Sequence, residues 1–150
     1  MADAKISLED RQALYDTLAR YVWGMDTGDI EGVVAIFTSD GVVKDVTGKR
    51  WDAAAGGVRG FATHFLRRPH RRGGQHHVQH LFVEPAERGR YRVTSYWVSI
   101  QWDAEGDEKF IRAMGSYVDT CVKVAGRWRI QEKIIDPWNS ATAPMVGHML

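Results

Sequence analysis

The 150-residue sequence has a single cysteine, Cys121, and no long apolar run. One cysteine cannot form an internal disulfide bond, and it cannot build a zinc site alone. The apolar runs are only a few residues long, so no segment is expected to span a bilayer. The first residues carry acidic side chains and lack the apolar region of a secretory signal. We therefore expect a soluble cytoplasmic protein that does not associate with membranes.

Net charge is also nearly absent. Twenty Lys and Arg residues oppose 19 Asp and Glu residues, for a formal net charge of +1. A chain this close to neutral does not attract DNA or RNA through its overall field. The basic segment RRPHRR at 67–72 is not extended elsewhere, and no nucleic-acid-binding motif accompanies it. We interpret it as a solvated loop and predict no nucleic-acid partner.

Motifs for nucleophilic and metal-assisted catalysis are missing as well. There is no G-x-S-x-G turn, and Cys121 lies within a predicted strand without an activating neighbour. The histidines match neither HExxH nor a Cys–His zinc pattern. A site with two histidines and one carboxylate would require a distant acid such as Asp26. No metal site is predicted.

Aromatic residues, by contrast, are abundant. The chain has six Trp, five Tyr and five Phe, and 44% of its residues are hydrophobic, which is enough for a proper core. Its length is that of one compact domain, and it contains no repeat or linker. We therefore predict a single domain over 1–150.

Hydrophobic periodicity predicts helices first and a meander of strands afterwards. The predicted helices cover 7–23, 30–37 and 60–68. The predicted strands cover 42–46, 75–84, 90–103, 108–123 and 127–136. A turn is expected at 39–41, a Gly- and Ala-rich loop at 47–58, and a helix break from Gly24 onward. This order predicts an α+β fold with helices across one face of a curved antiparallel sheet, enclosing a pocket.

Two segments carry candidate catalytic groups. Asp26 follows the first helix, five residues after Tyr21, which is about one and a half helical turns. In the strand containing QHHVQH, alternation places His76 and His80 on one face. A buried imidazole needs a partner, and a carboxylate is a common one. The alternatives are that Asp26 is a turn or cap residue and that the histidines face solvent or a sheet edge.

Further side chains are candidates for the pocket wall. Arg59 lies just before the third predicted helix. Tyr117 shares a strand face with Ala113 and Gly115, which leaves room for a ligand, whereas Arg112 falls on the opposite face. The aromatic residues expected near the cavity or its mouth are Trp23, Trp51, Phe65, Tyr96, Trp97 and Trp138. Core packing is the alternative for each of them, but as a group they suit a flat apolar ligand.

These segments together resemble the SnoaL-like branch of the nuclear-transport-factor-2-like superfamily over nearly the full chain. The resemblance rests on the D-x-G-D break after the first helix, the VVAIF helix with its S-D-G-V turn, the G-x-x-x-F helix and the late G-R-W-R-I strand. The chain looks most like scytalone dehydratase, bile-acid 7α-dehydratase and hexachlorocyclohexane dehydrochlorinase. The resemblance implies a cone-shaped curved sheet with helices packed over its concave face. It also implies a lyase that needs no cofactor and assembles as a homo-oligomer, a trimer or a dimer.

The catalytic pair of that family is an Asp at the end of the first helix and a His on the first long strand, which Asp26 and His76 match. Tyr21 matches a tyrosine of the bile-acid enzyme. His80 stands where the family usually has Asn, and the second pocket tyrosine of the dehydratases falls near Asp45 or Lys44, so it is missing. By resemblance His76 is the general base, Asp26 fixes its tautomer, and Tyr21 donates to the departing oxygen.

The predicted reaction is elimination of water from a small apolar, aromatic or polycyclic hydroxylated substrate. The residues predicted to bind it are Arg59, His80, Tyr96, Trp97, Tyr117 and Trp138. Three alternatives remain: a retro-aldol C–C lyase, a ketosteroid-type isomerase and a non-catalytic ligand-binding or scaffold member of the superfamily.

Overall fold

A computed structural model describes residues 6–67, 73–103 and 105–143. Its helices are α1 (Leu8–Thr27), α2 (Ile30–Ala35) and α3 (Gly57–Leu66). Its strands are β1 (Phe37–Lys44), β2 (Arg50–Trp51), β3 (Gln75–Ala86), β4 (Arg90–Asp103), β5 (Glu108–Val124) and β6 (Arg127–Pro137). The predicted α+β class is confirmed. Most of the basic segment at 67–72 lies outside the described residues.

The six strands form one curved, unclosed sheet in the order β2-β1-β6-β5-β4-β3. Strands β3 to β6 pair antiparallel with their sequence neighbours, as the predicted meander requires. Strand β1, however, pairs parallel with β6, so the sheet is not purely antiparallel. Parallel neighbours need a long crossover, and here that crossover includes α3 and three long strands.

Helix α1 is longer than predicted because Gly24 does not interrupt it. The Ser7 side chain accepts a hydrogen bond from the Asp10 amide at the N-terminus, and Gly28 ends the helix with a φ of 80°. A Cβ placed on Gly24 would come within 2.7 Å of Val33 Cγ2 on α2. Gly24 therefore permits close helix packing. Asp26 consequently lies in the last turn of α1.

Two short segments also differ from the prediction. Residues 39–41 belong to β1, whose pairing with β6 shifts register between Phe37 and Val42. The predicted loop at 47–58 contains β2, a 3₁₀ turn at Ala53–Ala55 and the first residues of α3. The Asp52 carboxylate accepts hydrogen bonds from the amides of Ala54 and Ala55, which stabilises that turn. Such local capping organises a Gly- and Ala-rich segment that has little hydrophobic periodicity.

The helices cover one face of the sheet, and the core lies between them. Helix α1 packs against β3 and β6, while α3 packs against β1. On β4, Val93, Ser95, Trp97 and Ser99 are buried in alternation, so these positions define the inner face. No helix in the described ranges is long and apolar enough to cross a membrane.

Candidate active site

Asp26 and His76 meet where the last turn of α1 passes the start of β3. His76 Nδ1 lies 2.6 Å from Asp26 Oδ1, and the His76 backbone N–H donates to Asp26 Oδ2 at 2.9 Å. The Asp26 side chain is 18% exposed and the His76 side chain is 15% exposed. One histidine thus occupies both carboxylate oxygens, which fixes the ring relative to the helix.

This contact selects a tautomer of His76. A carboxylate only accepts hydrogen bonds, so Nδ1 carries the proton that lies between the two groups. The neutral ring then has Nε2 as its basic nitrogen. The same ring lines two adjoining cavities. The arrangement can therefore accept a proton at Nε2 while Asp26 stabilises the resulting imidazolium.

The first cavity, which we name the aromatic pocket, has a volume of about 200 Å³. Tyr21 and Met25 of α1 and Phe61 and Phe65 of α3 form one side of it. The sheet forms the other side with His76, Trp97, Ser99, Arg112, Ala113, Tyr117, Ile135 and Pro137. Val46 completes the wall. The lining is apolar and aromatic except at the end that contains His76.

The second cavity, which we name the polar cleft, also measures about 200 Å³. It is lined by Asp26, Thr27, Gly28, Leu66, Gly74 and Gln101. The two cavities share Met25, His76, Ser99 and Arg112. The histidine therefore lies at the junction between an aromatic and a polar compartment.

Five of the predicted residues line the aromatic pocket: Tyr21, Phe65, His76, Trp97 and Tyr117. The Trp97 and Tyr117 rings are stacked, with centroids 5.6 Å apart and planes inclined by 16°. Tyr21 meets Tyr117 edge to face at 5.9 Å. Gly115 pairs with Trp97 across the sheet, and any side chain there would collide with the backbone of Asp136. A flat, rigid wall results.

The prediction that His80 joins His76 in the pocket is wrong. The pairing of β3 with β4 shifts register between Gln79 and Phe82, and His80 adopts a φ of 57°. This bulge ends the strict alternation from His76. His80 is exposed, and its ring lies against Tyr96 outside the pocket.

The predictions for Tyr96 and Trp138 are also corrected. Tyr96 neighbours Trp97 on β4, so the pleat directs it to the opposite, outer face, where it is 49% exposed. Trp138 packs edge to face on Tyr96, with ring centroids 5.4 Å apart. Neither residue lines the aromatic pocket or the polar cleft.

Arg59 likewise lies away from the pocket. Its guanidinium forms a two-pronged salt bridge with Glu31 that joins α3 to α2, with Nη2 2.8 Å from Oε2. Trp23 is 69% exposed and lines a groove beside α2 and β6. Trp51 is buried, and its Nε1 donates to Asp45 Oδ2 at 2.7 Å. These side chains lie outside the aromatic pocket.

Two polar residues of the aromatic pocket were missed from the sequence, Ser99 and Arg112. Ser99 pairs with His76 across the sheet, and its alternation with Trp97 could have revealed it. No alternation pattern in the sequence indicates that Arg112 faces the pocket. Ser99 pairs with Ala113 and Ile100 with Ile111, so Arg112 is the extra residue of a bulge. A bulge re-aims a side chain, which accounts for Arg112 reaching the wall that it shares with Ala113.

A buried ion pair lies next to the pocket tyrosines. Lys133 and Asp119 are cross-strand neighbours with fully buried side chains, and Lys133 Nζ lies 3.0 and 3.1 Å from the two carboxylate oxygens. The ammonium is also 3.7 Å from the ring centroid of Tyr117 and 4.2 Å from that of Tyr21. Burial raises the pKa of Asp119 and lowers the pKa of Lys133, because each loses hydration of its charged form.

Asp26 and His76 are the side chains of metal-ligating type that meet in the site. Within 6–67, 73–103 and 105–143, no group of three or more His, Cys, Asp or Glu residues could hold a metal ion. The pair thus supplies fewer protein ligands than the three found in catalytic zinc sites.

The curved, unclosed sheet with helices on one face is the fold of the NTF2-like, cystatin-like proteins. One solved protein described in those words, from Novosphingobium aromaticivorans, is 19% identical with a TM-score of 0.76, over 90% of this chain and 86% of that one. A protein of unknown function from Mycobacterium tuberculosis is 25% identical with a TM-score of 0.76, over 94% and 84%. A protein from N. aromaticivorans provisionally named scytalone dehydratase is 20% identical with a TM-score of 0.72, over 93% and 95%.

Among the proteins that share this fold, the chain can be assigned to one family. The family model for the SnoaL-like domain matches residues 7–133. The chain therefore belongs to the SnoaL-like family, and the family resemblance seen in its motifs is confirmed. No match was found among curated protein sequences.

Proposed function

We propose that this protein is a cofactor-independent lyase that eliminates water from a small hydroxylated substrate with an apolar, aromatic body. The observation that carries the proposal is the 2.6 Å contact between His76 Nδ1 and Asp26 Oδ1 beside a pocket lined by Tyr21, Trp97 and Tyr117. A positioned base, an orienting carboxylate and a phenol are the groups that elimination requires.

In the proposed reaction, His76 Nε2 removes a proton from a carbon next to a carbonyl or activated ring. The C–H electron pair forms the new C=C bond, and the adjacent C–O bond breaks. Tyr21 donates a proton to the departing hydroxyl, which leaves as water. The proton on the imidazolium then returns to the tyrosine through solvent, so the enzyme is unchanged. Asp26 stabilises the imidazolium throughout.

The proposed substrate follows from the shape and chemistry of the wall. The stacked rings of Trp97 and Tyr117 provide a flat surface on which an aromatic or polycyclic body can pack. The reacting carbons would then lie at the His76 end of the aromatic pocket. With two adjoining cavities of about 200 Å³ each, the site suits a compact substrate.

A substrate panel analysed by mass spectrometry tests the proposal. Hydroxylated aromatic ketones and polycyclic alcohols are incubated with the protein and with His76→Ala, and the products are resolved chromatographically. Loss of 18 mass units that depends on His76 is the expected result; 18 is the mass of water. A product of unchanged mass would indicate an isomerase, and two fragments a C–C lyase. Ligand binding without conversion would indicate a non-catalytic member, and each of these outcomes would overturn the dehydratase proposal.

We further propose that the chain forms a homo-oligomer through the outer sheet face. Phe82, Tyr96 and Met114 lie on this face of β3, β4 and β5 and are 64%, 49% and 42% exposed. Contiguous exposed apolar side chains are typical of interaction surfaces. Sedimentation of the wild type and of Tyr96→Lys should show a dimer or trimer that the substitution dissociates. A wild-type monomer at micromolar concentration would contradict the proposal.

A further inference from the structure

Arg112 occupies the junction at which the two cavities meet. It lines both the aromatic pocket and the polar cleft, together with His76, Ser99 and Met25. The β5 bulge supplies this position. Arg112 therefore lies at the same end of the pocket as the histidine. Its guanidinium is always charged and can form two parallel hydrogen bonds to a carboxylate.

Arg112 differs from several other exposed cations in that no acidic partner accompanies it. Arg50 pairs with Glu132, Arg59 pairs with Glu31, and Lys123 pairs with Asp10. No hydrogen bond or ion pair from the Arg112 guanidinium is found within the described ranges. Asp26, the acidic residue that lines the cleft, is hydrogen-bonded to His76 and not to Arg112. The guanidinium donors therefore remain available to a ligand.

The buried ion pair has no net charge, but its cationic end faces the aromatic pocket. The Lys133 ammonium, held by Asp119, contacts the ring faces of Tyr21 and Tyr117, which line the aromatic pocket. Asp119 and Lys133 form a dipole whose positive end is at these rings. Arg112 thus lies at the junction of the pocket with the cleft, and the positive end of the Lys133–Asp119 dipole lies behind the aromatic wall. Negative charge on a ligand oxygen is favoured there.

We infer that the substrate is an aromatic acid whose carboxylate binds Arg112 while its ring system occupies the aromatic pocket. This inference rests on the proposed function for its pocket and names the substrate class. The carboxylate lies in the polar cleft, where Ser99 and Arg112 can donate hydrogen bonds. Because Asp26 also borders this cleft, Arg112 is needed to offset repulsion between the two carboxylates. The near-neutral net charge of the chain gives no indication of this local preference for an anion.

Binding of matched naphthalene probes tests the inference without requiring turnover. Titration calorimetry is performed with 2-naphthoate and with 2-naphthamide, which has the same shape but no charge. The wild type should bind the acid about 10-fold more tightly or better, the usual gain for a charge-assisted pair. Arg112→Gln should abolish this preference, and Arg112→Lys should retain part of it. Arg92→Gln, which removes an exposed arginine from the distant end of β4, is the matched control.

The outcomes separate the inference from the proposed function. Equal binding of acid and amide by the wild type, no binding of either probe, or an unchanged preference in Arg112→Gln would overturn the inference. If Arg112→Gln loses the preference while no tested substrate is converted, the acid-binding site stands and the dehydratase proposal fails. If the panel instead shows His76-dependent loss of water only from uncharged substrates, the function stands and the acid-binding inference fails.

Discussion

Asp26 receives two hydrogen bonds from a single residue, since the ring Nδ1 and the backbone N–H of His76 each occupy one carboxylate oxygen. The contact joins the last turn of α1 to the start of β3. Burial reduces competition from water, as both side chains are less than one fifth exposed. The pair therefore acts as an orienting device for the ring as well as an electrostatic partner of its protonated form.

Asp26→Asn should reverse the tautomer of neutral His76. The amide oxygen can still accept from the His76 backbone, which leaves the amide nitrogen to donate toward Nδ1. The ring proton then moves to Nε2, the nitrogen that the proposed reaction needs as a base. Two-dimensional ¹⁵N–¹H spectra of the labelled imidazoles should show the Nδ1–H form in the wild type and the Nε2–H form in Asp26→Asn. Identical tautomers in both proteins would contradict the assigned geometry.

The Lys133–Asp119 pair should respond very differently to single and double substitution. Lys133→Met leaves a buried carboxylate without its cation, which typically costs about 3–5 kcal/mol. Replacing both residues, as Lys133→Met with Asp119→Leu, removes both charges and should restore most of the free energy of unfolding, because the desolvation cost also disappears. Urea unfolding measures each value. A double variant as unstable as Lys133→Met alone would show that packing, and not charge, dominates at this position.

Asp45 should contribute stability that depends on pH. Burial by itself raises the pKa of this carboxyl, but hydrogen bonds from Thr47, Trp51 and two backbone amides outweigh it and hold the pKa below its ordinary value. The folded state thus binds a proton less readily than the unfolded chain. The contribution is present above the ordinary aspartate pKa of about 3.9 and is lost as pH falls through the lowered value.

Asp45→Asn isolates this effect. The variant should lose about 1–3 kcal/mol at pH 7, because an amide nitrogen replaces an acceptor of the buried Trp51 N–H. The difference from the wild type should narrow as the pH falls below the ordinary aspartate pKa of about 3.9, because the unfolded chain then takes up a proton that the native carboxyl still resists. Unfolding curves between pH 3 and pH 7 measure it. A difference that is constant over this range would contradict the lowered pKa.

Local patterns were sufficient to predict most of the fold. The periodicity of the helices and the alternation along four long strands each depend on residues close in sequence, and each is found in the structure. The parallel pairing of β1 with β6 joins segments about 90 residues apart, and no local pattern encodes it. The role of Gly24 could not be predicted from local sequence either, since it depends on Val33 of another helix.

Two of the errors at the site, those at His80 and Arg112, have one physical origin. A bulge adds one residue to a strand and thereby moves the following side chains to the other face. One bulge removes His80 from the face of His76, and another brings Arg112 to the wall of the pocket. Neither bulge contains a glycine or proline that would mark it in the sequence. Away from the bulges, alternation holds, and His76, Trp97 and Tyr117 lie on the pocket face.

Two residues provide controls for a test of His76 as the catalytic base. His77 neighbours His76 on β3 but lies on the opposite face and is exposed, so His77→Ala changes the same residue type outside the pocket. Cys121 is fully buried, and burial raises the pKa of its thiol, which makes it unreactive in the folded protein. Resistance of Cys121 to a thiol reagent therefore verifies that each variant is folded.

The most direct measurement is kcat for the wild type, His76→Ala and His77→Ala on a substrate from which the wild type eliminates water. General acid–base catalysis typically contributes about 100- to 10,000-fold. The account predicts that kcat falls by at least about 100-fold in His76→Ala and stays near the wild-type value in His77→Ala. A folded His76→Ala protein that retains wild-type kcat would contradict the assignment of His76 as the base.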